Sequence, residues 1–245
     1  MRLVLSAFGL VLGLTQLAYG ADMSDAERSA FRAEVRAYLL ENPEVLIEAM
    51  TELQARKDAA DIAKDQTLLT TYKAELFNDP NSYVGGNPDG DITIVEFTDY
   101  RCTYCRKAFA EIEDLIKSDG NIRFVVKEYP ILGEASMISS RFAIAVLQLH
   151  GAEAYKAAHD GLISLRGEPD AATLTRLAET LGLNAADILA RMTTPEVEAV
   201  IAANADLGMR MTISGTPTFV VNGQILRGYV PLEQMQEIVA AERAS

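Results

Sequence analysis

The chain carries two cysteines, three positions apart, in Cys102-Thr103-Tyr104-Cys105. Thiols at that spacing can cycle between dithiol and disulfide, stay locked as a structural disulfide, or bind a thiophilic ion such as Cu(I) or Zn²⁺. Closing a loop of two intervening residues removes little entropy from the unfolded chain, which weakens the structural reading. Zinc takes about four ligands of Cys, His or carboxylate type. The two histidines, His150 and His159, lack ligand spacing to the cysteines and read as surface or packing residues. Redox exchange is therefore the first reading of the pair.

The flanking residues must place these sulfurs. Upstream runs Ile92-Thr93-Ile94-Val95-Glu96-Phe97, an apolar, β-branched stretch of strand length. Downstream, Phe109, Ile112, Leu115 and Ile116 recur at helical spacing. Cys102 thus falls where a strand hands over to a helix. Unpaired N–H groups and the positive end of the helix dipole stabilise a thiolate there, which makes Cys102 the nucleophile and Cys105, one turn on, the resolving thiol. Glu96 sits six residues before Cys102 on an alternating strand that turns it inward, and Lys127 on the next strand is its candidate partner. The other reading points Glu96 at solvent.

Residues 24–40 predict a first helix, with Ser24 and Glu27 in capping-box spacing and Ala30, Phe31, Val35, Tyr38 and Leu39 on its apolar face. Asn42-Pro43 interrupts and restarts the chain. A second helical pattern covers 44–77, with a charged, alanine-rich middle too poor in apolar surface to be a core helix. Turn residues crowd 78–90 and mark the boundary to a second unit. That unit reads as strand 92–97, a helix to about 117, strand 122–127, a helix-rich stretch over about 135–209, a hairpin of 218–221 and 224–227 about Asn222-Gly223, and a last helix over 231–242. A β-α-β unit and a β-β-α unit around a helical insertion make an α/β chain of thioredoxin type, preceded by an α-helical N-terminal segment.

The first 20 residues read as a secretory signal: Arg2, an apolar run over 3–14, and small residues at Ala18 and Gly20 before Ala21. Cleavage after Gly20 removes one charge, Arg2, and takes the formal net charge from −13 to −14. So acidic a chain argues against nucleic acid or an anionic membrane surface as a partner.

Several motifs together resemble the DsbA-like thioredoxin superfamily over residues 91–245: Glu96-Phe97, the cysteine pair, Lys127-Glu128-Tyr129-Pro130, and Gly215-Thr216-Pro217-Thr218-Phe219. Tyr38-Leu39-Leu40-Glu41-Asn42-Pro43-Glu44-Val45 is similar to the helical leader of the suppressor-of-copper-sensitivity (ScsC) and Com1-like branch. The resemblance implies that Thr216-Pro217 is the cis-proline strand end that lies against the cysteines and pairs with bound substrate. It also implies that Glu96 relays a proton to or from the buried sulfur. Thr216 resembles the residue of the isomerases DsbC and ScsC, where the oxidase DsbA usually has valine. Thr103-Tyr104 departs from the Pro-His dipeptide of strong oxidases and supplies no cation, with Arg101 and Arg106 as partial substitutes.

The expected protein is a periplasmic thiol–disulfide oxidoreductase, leaning to isomerase or reductase, that acts on protein cysteines. A DsbA-like oxidase and a copper-binding or copper-protective module are the alternatives. No cofactor and no resident metal are expected. A membrane redox partner would reset the pair, and the helical leader, residues 21–80, would assemble a homo-oligomer.

Overall fold

The computed structural model describes residues 23–244; the expected signal segment lies outside them. Two compact units divide the chain, Met1–Ala59 and Ala60–Ser245.

The described part of the first unit is helical. In α1 (Asp25–Glu41), Ser24 caps the N-terminus and Glu27 returns the bond to the Ser24 backbone, the reciprocal box expected from the spacing. Asn42 ends α1, and α2 (Glu44–Thr71) begins after Pro43. No residue of α1 is buried, and Phe31, Val35, Tyr38, Leu40, Leu46, Ile47, Met50 and Leu53 lie exposed.

The second unit takes up the end of α2 and adds α3 (Lys73–Phe77), β1 (Tyr83–Gly86), β2 (Ile92–Thr98), α4 (Thr103–Asp119) and β3 (Ile122–Glu128). The inserted helices follow as α5 (Glu134–Ile163), α6 (Ala171–Thr180), α7 (Ala185–Arg191) and α8 (Pro195–Arg210). The chain closes with β4 (Thr218–Val221), β5 (Gln224–Arg227) and α9 (Leu232–Arg243). The sheet order is β1-β3-β2-β4-β5, with β2 and β3 parallel and the other neighbours antiparallel. Parallel neighbours need a crossover, which α4 supplies, and central strands covered on both faces read as near-continuous apolar runs.

Alternation along β2 sends Ile92 and Ile94 into one core with Ile112, Leu115 and Phe142, and Val95 and Phe97 into a second core with Leu69, Leu76 and Leu207. Leu69 and Leu76 are thus core residues of the second unit, which takes in the end of α2 as well as the stretch from 91 onward. Strand β1 also falls in the stretch expected to be turn. Its Tyr83 and Val84 suit a strand, but Gly85 and Gly86 read as punctuation and leave too short a run to stand out. Gly86 is needed in the strand: it sits at φ 65°, and a Cβ there would lie 2.3 Å from the Ile122 carbonyl oxygen.

The register also corrects the pairing expected for Lys127. In parallel register Phe97 lies beside Lys127 and Glu96 beside Val126, so Lys127 and Glu96 project from opposite faces. Lys127 is 1% exposed and its ammonium donates to Asp79 at 2.6 Å, on the face away from the cysteines. A buried charge left without its partner is costly. Asp79→Ala is therefore expected to destabilise the folded protein by about 3 kcal/mol in urea unfolding at pH 7. A loss below about 0.5 kcal/mol, the size of an ordinary surface change, would show that Lys127 does not depend on Asp79.

Candidate active site

Strand β2 delivers the chain to a short loop, 99–101, before α4. Asp99 fixes that loop: its carboxylate accepts the N–H groups of Arg101 (2.8 Å), Ile131 (2.9 Å) and Leu132 (3.0 Å), which ties the approach to the cysteines to the segment after β3. The Cys102 N–H donates to the Asp99 carbonyl at 3.1 Å. Cys102 is then the N-cap of α4, and its Sγ accepts the Cys105 N–H at 3.4 Å.

The two thiols are free but differ in setting. Cys102 is 6% exposed and Cys105 1%. Opposite them, the Thr216–Pro217 peptide is cis, and the Thr216 carbonyl oxygen lies 3.1 Å from the Cys102 Sγ, within reach of its S–H. In the thiolate state that S–H is gone. The hydrogen bond from the Cys105 thiol then contributes most, against the cost of burial, with the Thr216 side chain and the backbone N–H groups of Cys105 and Tyr104 adding to it; together they bring Cys102 down to about 5. Cys105 is pushed far up by the same hydrogen bond, by burial and by the nearby Glu96 carboxyl. One sulfur is thus ionised near neutrality and the other keeps its proton.

Glu96 does lie inward, at 4% exposure. Burial pushes it up to about 8, with the negative charges of Glu128, Cys102 and Glu113 adding to the rise and a hydrogen bond from Thr98 opposing it. The structure therefore brings together Cys102, Cys105, Glu96, Thr216 and Pro217. The flanking arginines engage other groups: Arg101 donates to the Gly167 carbonyl (2.8 Å) and Glu168 (3.2 Å), and Arg106 to the Tyr100 carbonyl (2.8 Å). Tyr104 stays exposed and stacks against Tyr229, with ring centroids 6.2 Å apart.

Sequence reasoning assigned no role to Asp99 or Glu128 and placed His159 among surface or packing residues. His159 is buried, with its Nδ1 2.9 Å from the Tyr100 hydroxyl. An acidic residue next to β-branched runs on two adjacent strands was the available signal, and only the pairing register turns it into a cluster. Among the described residues there is no group of three His, Cys, Asp or Glu side chains placed to hold a metal ion.

Fold and dithiol define a thioredoxin-fold protein with a C-x-x-C pair at the head of its crossover helix. The family described as the DSBA-like thioredoxin domain matches residues 93–240, and the copper resistance protein ScsC N-terminal domain matches residues 27–60. A thioredoxin-like oxidoreductase from Silicibacter pomeroyi is similar in structure, with a TM-score of 0.66 and 41% identity; the match covers 70% of this chain and 98% of that one. ScsC of Proteus mirabilis, in a transitional conformation, has a TM-score of 0.66 and 28% identity, covering 91% of this chain and 97% of that one. The Na(+)/H(+) antiporter NhaA 3 of Salinispora tropica is 29% identical over 168 residues, 68% of this chain and 26% of the antiporter. The chain thus spans about a quarter of the length of the first curated relatives it matches. The chain belongs to the DSBA-like thioredoxin domain family, whose pattern it carries over residues 93–240.

The contrast between the sulfurs has a direct readout. Iodoacetamide alkylation of the reduced protein is expected to show one thiol titrating with a midpoint near 5 and the other unreactive up to pH 9. Cys102→Ser removes the low-pH phase. Retention of that phase in Cys102→Ser, with loss in Cys105→Ser, would reverse the assignment.

Proposed function

We propose that this protein is an exported thiol–disulfide oxidoreductase, leaning to isomerase or reductase, that acts on protein cysteines in the periplasm. The observation that carries the reading is the asymmetric dithiol, with Cys102 poised as thiolate and Cys105 sheltered and protonated. Cys102 attacks a client disulfide and forms a mixed disulfide; Cys105 then attacks Cys102 and releases the client thiolate. Glu96 takes the Cys105 proton in that step and returns it in the reverse one, and Thr216-Pro217 borders the groove where the client backbone lies. Net oxidation or reduction of clients leaves the pair in the spent state. A membrane redox partner resets it.

Direction follows from how strongly the thiolate is favoured. Thioredoxin's nucleophile titrates near about 7 and DsbA's near about 3.5, with reduction potentials of about −270 and −120 mV. Cys102, at about 5, lies between them. An intermediate potential suits an isomerase, which must both open and re-form disulfides. Equilibration of the Cys102/Cys105 pair with glutathione is expected to give a value between those limits, with Cys102→Ala inactive and Cys105→Ala trapping mixed disulfides with clients. A potential at the DsbA end, with the protein fully oxidised in cells, would replace the isomerase reading with that of an oxidase.

The first unit supports assembly. Its helices expose Phe31, Val35, Tyr38, Leu46 and Met50, and α1 buries none of its residues. Helices with so little burial are marginal in water, so a second copy of the chain is the partner that would cover them. Light scattering of the mature protein is expected to show a dimer or trimer. Removal of the residues before Ala60, which leaves Leu69 and Leu76 in their core, should give a monomer that still exchanges dithiols but rescrambles misoxidised substrate poorly. A monomeric full-length protein would overturn the assembly.

A further inference from the structure

Behind the cysteines lies a buried polar cluster that the exchange steps above do not use. Its centre is Glu128, the last residue of β3, beside Thr98 in the parallel register and 3% exposed. Three hydroxyls converge on its carboxylate: Tyr100 at 2.8 Å and Tyr155 at 2.5 Å on Oε1, and Ser140 at 2.7 Å on Oε2. Tyr100 gives its only proton to Glu128, so the His159 Nδ1, 2.9 Å away, is assigned as an N–H that donates to the Tyr100 oxygen. The three hydroxyl protons then point to one carboxylate and the His159 proton supports Tyr100 from behind, an arrangement that favours the charged form of Glu128.

Glu96 shares this face of the sheet, two residues before Thr98, and has the Thr98 hydroxyl as its hydrogen-bonding side chain. Two buried carboxyls so close cannot both ionise without repulsion, and the one with more donors ionises first. We propose that Glu128 is a positioning residue for the exchange reaction: as the resident anion of the pair it keeps the proton on Glu96, ready for the sulfur of Cys105. The proposal rests on the oxidoreductase reading given above.

The step balances. A client thiolate attacks the Cys102 sulfur of the enzyme disulfide, a client–Cys102 disulfide forms, and the Cys102–Cys105 bond breaks. The departing Cys105 thiolate takes the proton from Glu96, which is left as carboxylate; the reverse step returns the proton to Glu96. Two electrons pass from the client thiolate to Cys105.

The remaining groups around the pair leave this polarity in place. On the strand side, Asp99, held in the loop by three backbone N–H groups, opposes this polarity because its charge raises Glu128, but each of the three hydroxyl donors outweighs it. From α4 come the Cys102 thiolate and Glu113, both of which raise Glu96 further. From α5 come Tyr155, His159 and Ser140, with Lys156 engaged by Asp160 (2.7 Å) and Glu113 (3.2 Å). Burial lowers His159 to about 3, so it is neutral. Lys127 is held by Asp79 on the opposite face. Burial raises both carboxyls, Glu128 to about 7 and Glu96 to about 8, in the order the donors dictate.

Two measurements test the proposal separately from the function it rests on. In ¹³C NMR titration of the glutamate carboxyls of the reduced protein, Glu128→Gln is expected to move the Glu96 midpoint to lower pH by about one unit, the scale of a close like charge. Tyr155→Phe, which removes one donor and keeps the ring, is expected to move it the same way by less, and it carries the test if Glu128→Gln does not fold. In single-turnover reduction of the enzyme disulfide by excess dithiol, with rates corrected for the dithiol's thiolate fraction, the high-pH fall should shift to lower pH in Glu128→Gln. It should not shift when Glu128→Gln is made in a Glu96→Gln background. A Glu96 midpoint unmoved in the variants, or an equal shift of the rate profile in the Glu96→Gln background, overturns the role of Glu128. Absence of exchange in the wild-type protein overturns the oxidoreductase reading, while the NMR titration still reports whether the two carboxyls are coupled.

Discussion

The Cys102 sulfur stands where a serine or aspartate oxygen would cap a helix. It accepts the Cys105 N–H at the start of α4, so the group that completes the helix is also the one proposed above to react. This double duty constrains what surrounds it. The cap requires the chain to leave β2 and enter α4 within a few residues, and Asp99 holds that bend by three backbone bonds. A thiolate cap is strongest when donors reach it, and here the Cys105 thiol, the Thr216 side chain and the backbone N–H groups of Cys105 and Tyr104 do so.

Burial of Cys105 creates the next requirement. A sulfur sheltered from water must exchange its proton with something other than solvent, and the carboxyl on the strand beneath it is Glu96. Such a group is useful only if its proton affinity lies near that of its surroundings, and burial supplies the rise. The same rise has a cost in stability whose sign is definite. Glu96 titrates near 4.5 in the unfolded chain and near 8 when folded, so its contribution is fully favourable below about 4.5 and is lost as pH climbs towards 8. Glu128, raised to about 7, works in the same direction. The site is maintained against this cost by the cores on both faces of the sheet.

Much of this was legible in the chain. Cys102, Cys105 and the strand before them followed from spacing and β-branched composition, and the Asn222-Gly223 hairpin and the capping box of α1 appear as read. What could not be read was which face a side chain takes relative to a strand far away in sequence. Adjacent strands alone make Lys127 a candidate partner for Glu96; a one-residue difference in register sends it to Asp79 instead. Strand β1 was hidden for a related reason: its four residues gain their strand character from pairing with β3, and the two glycines argue for a turn.

The Glu128 cluster shows the same limit from the other side. Tyr100, Glu128, Ser140, Tyr155 and His159 are spread over 60 positions of the chain, and each alone reads as an ordinary buried or surface residue. Folding places them at one end of β3, because the inserted helix α5 crosses the sheet face beside the cysteines. Helix α5 brings the hydroxyls of Ser140 and Tyr155 to a buried carboxylate, which is how, on the proposal made above, the insertion would reach the proton exchanged with the sulfur. On that proposal, a substitution at Ser140 or Tyr155 would alter the dithiol without touching either sulfur.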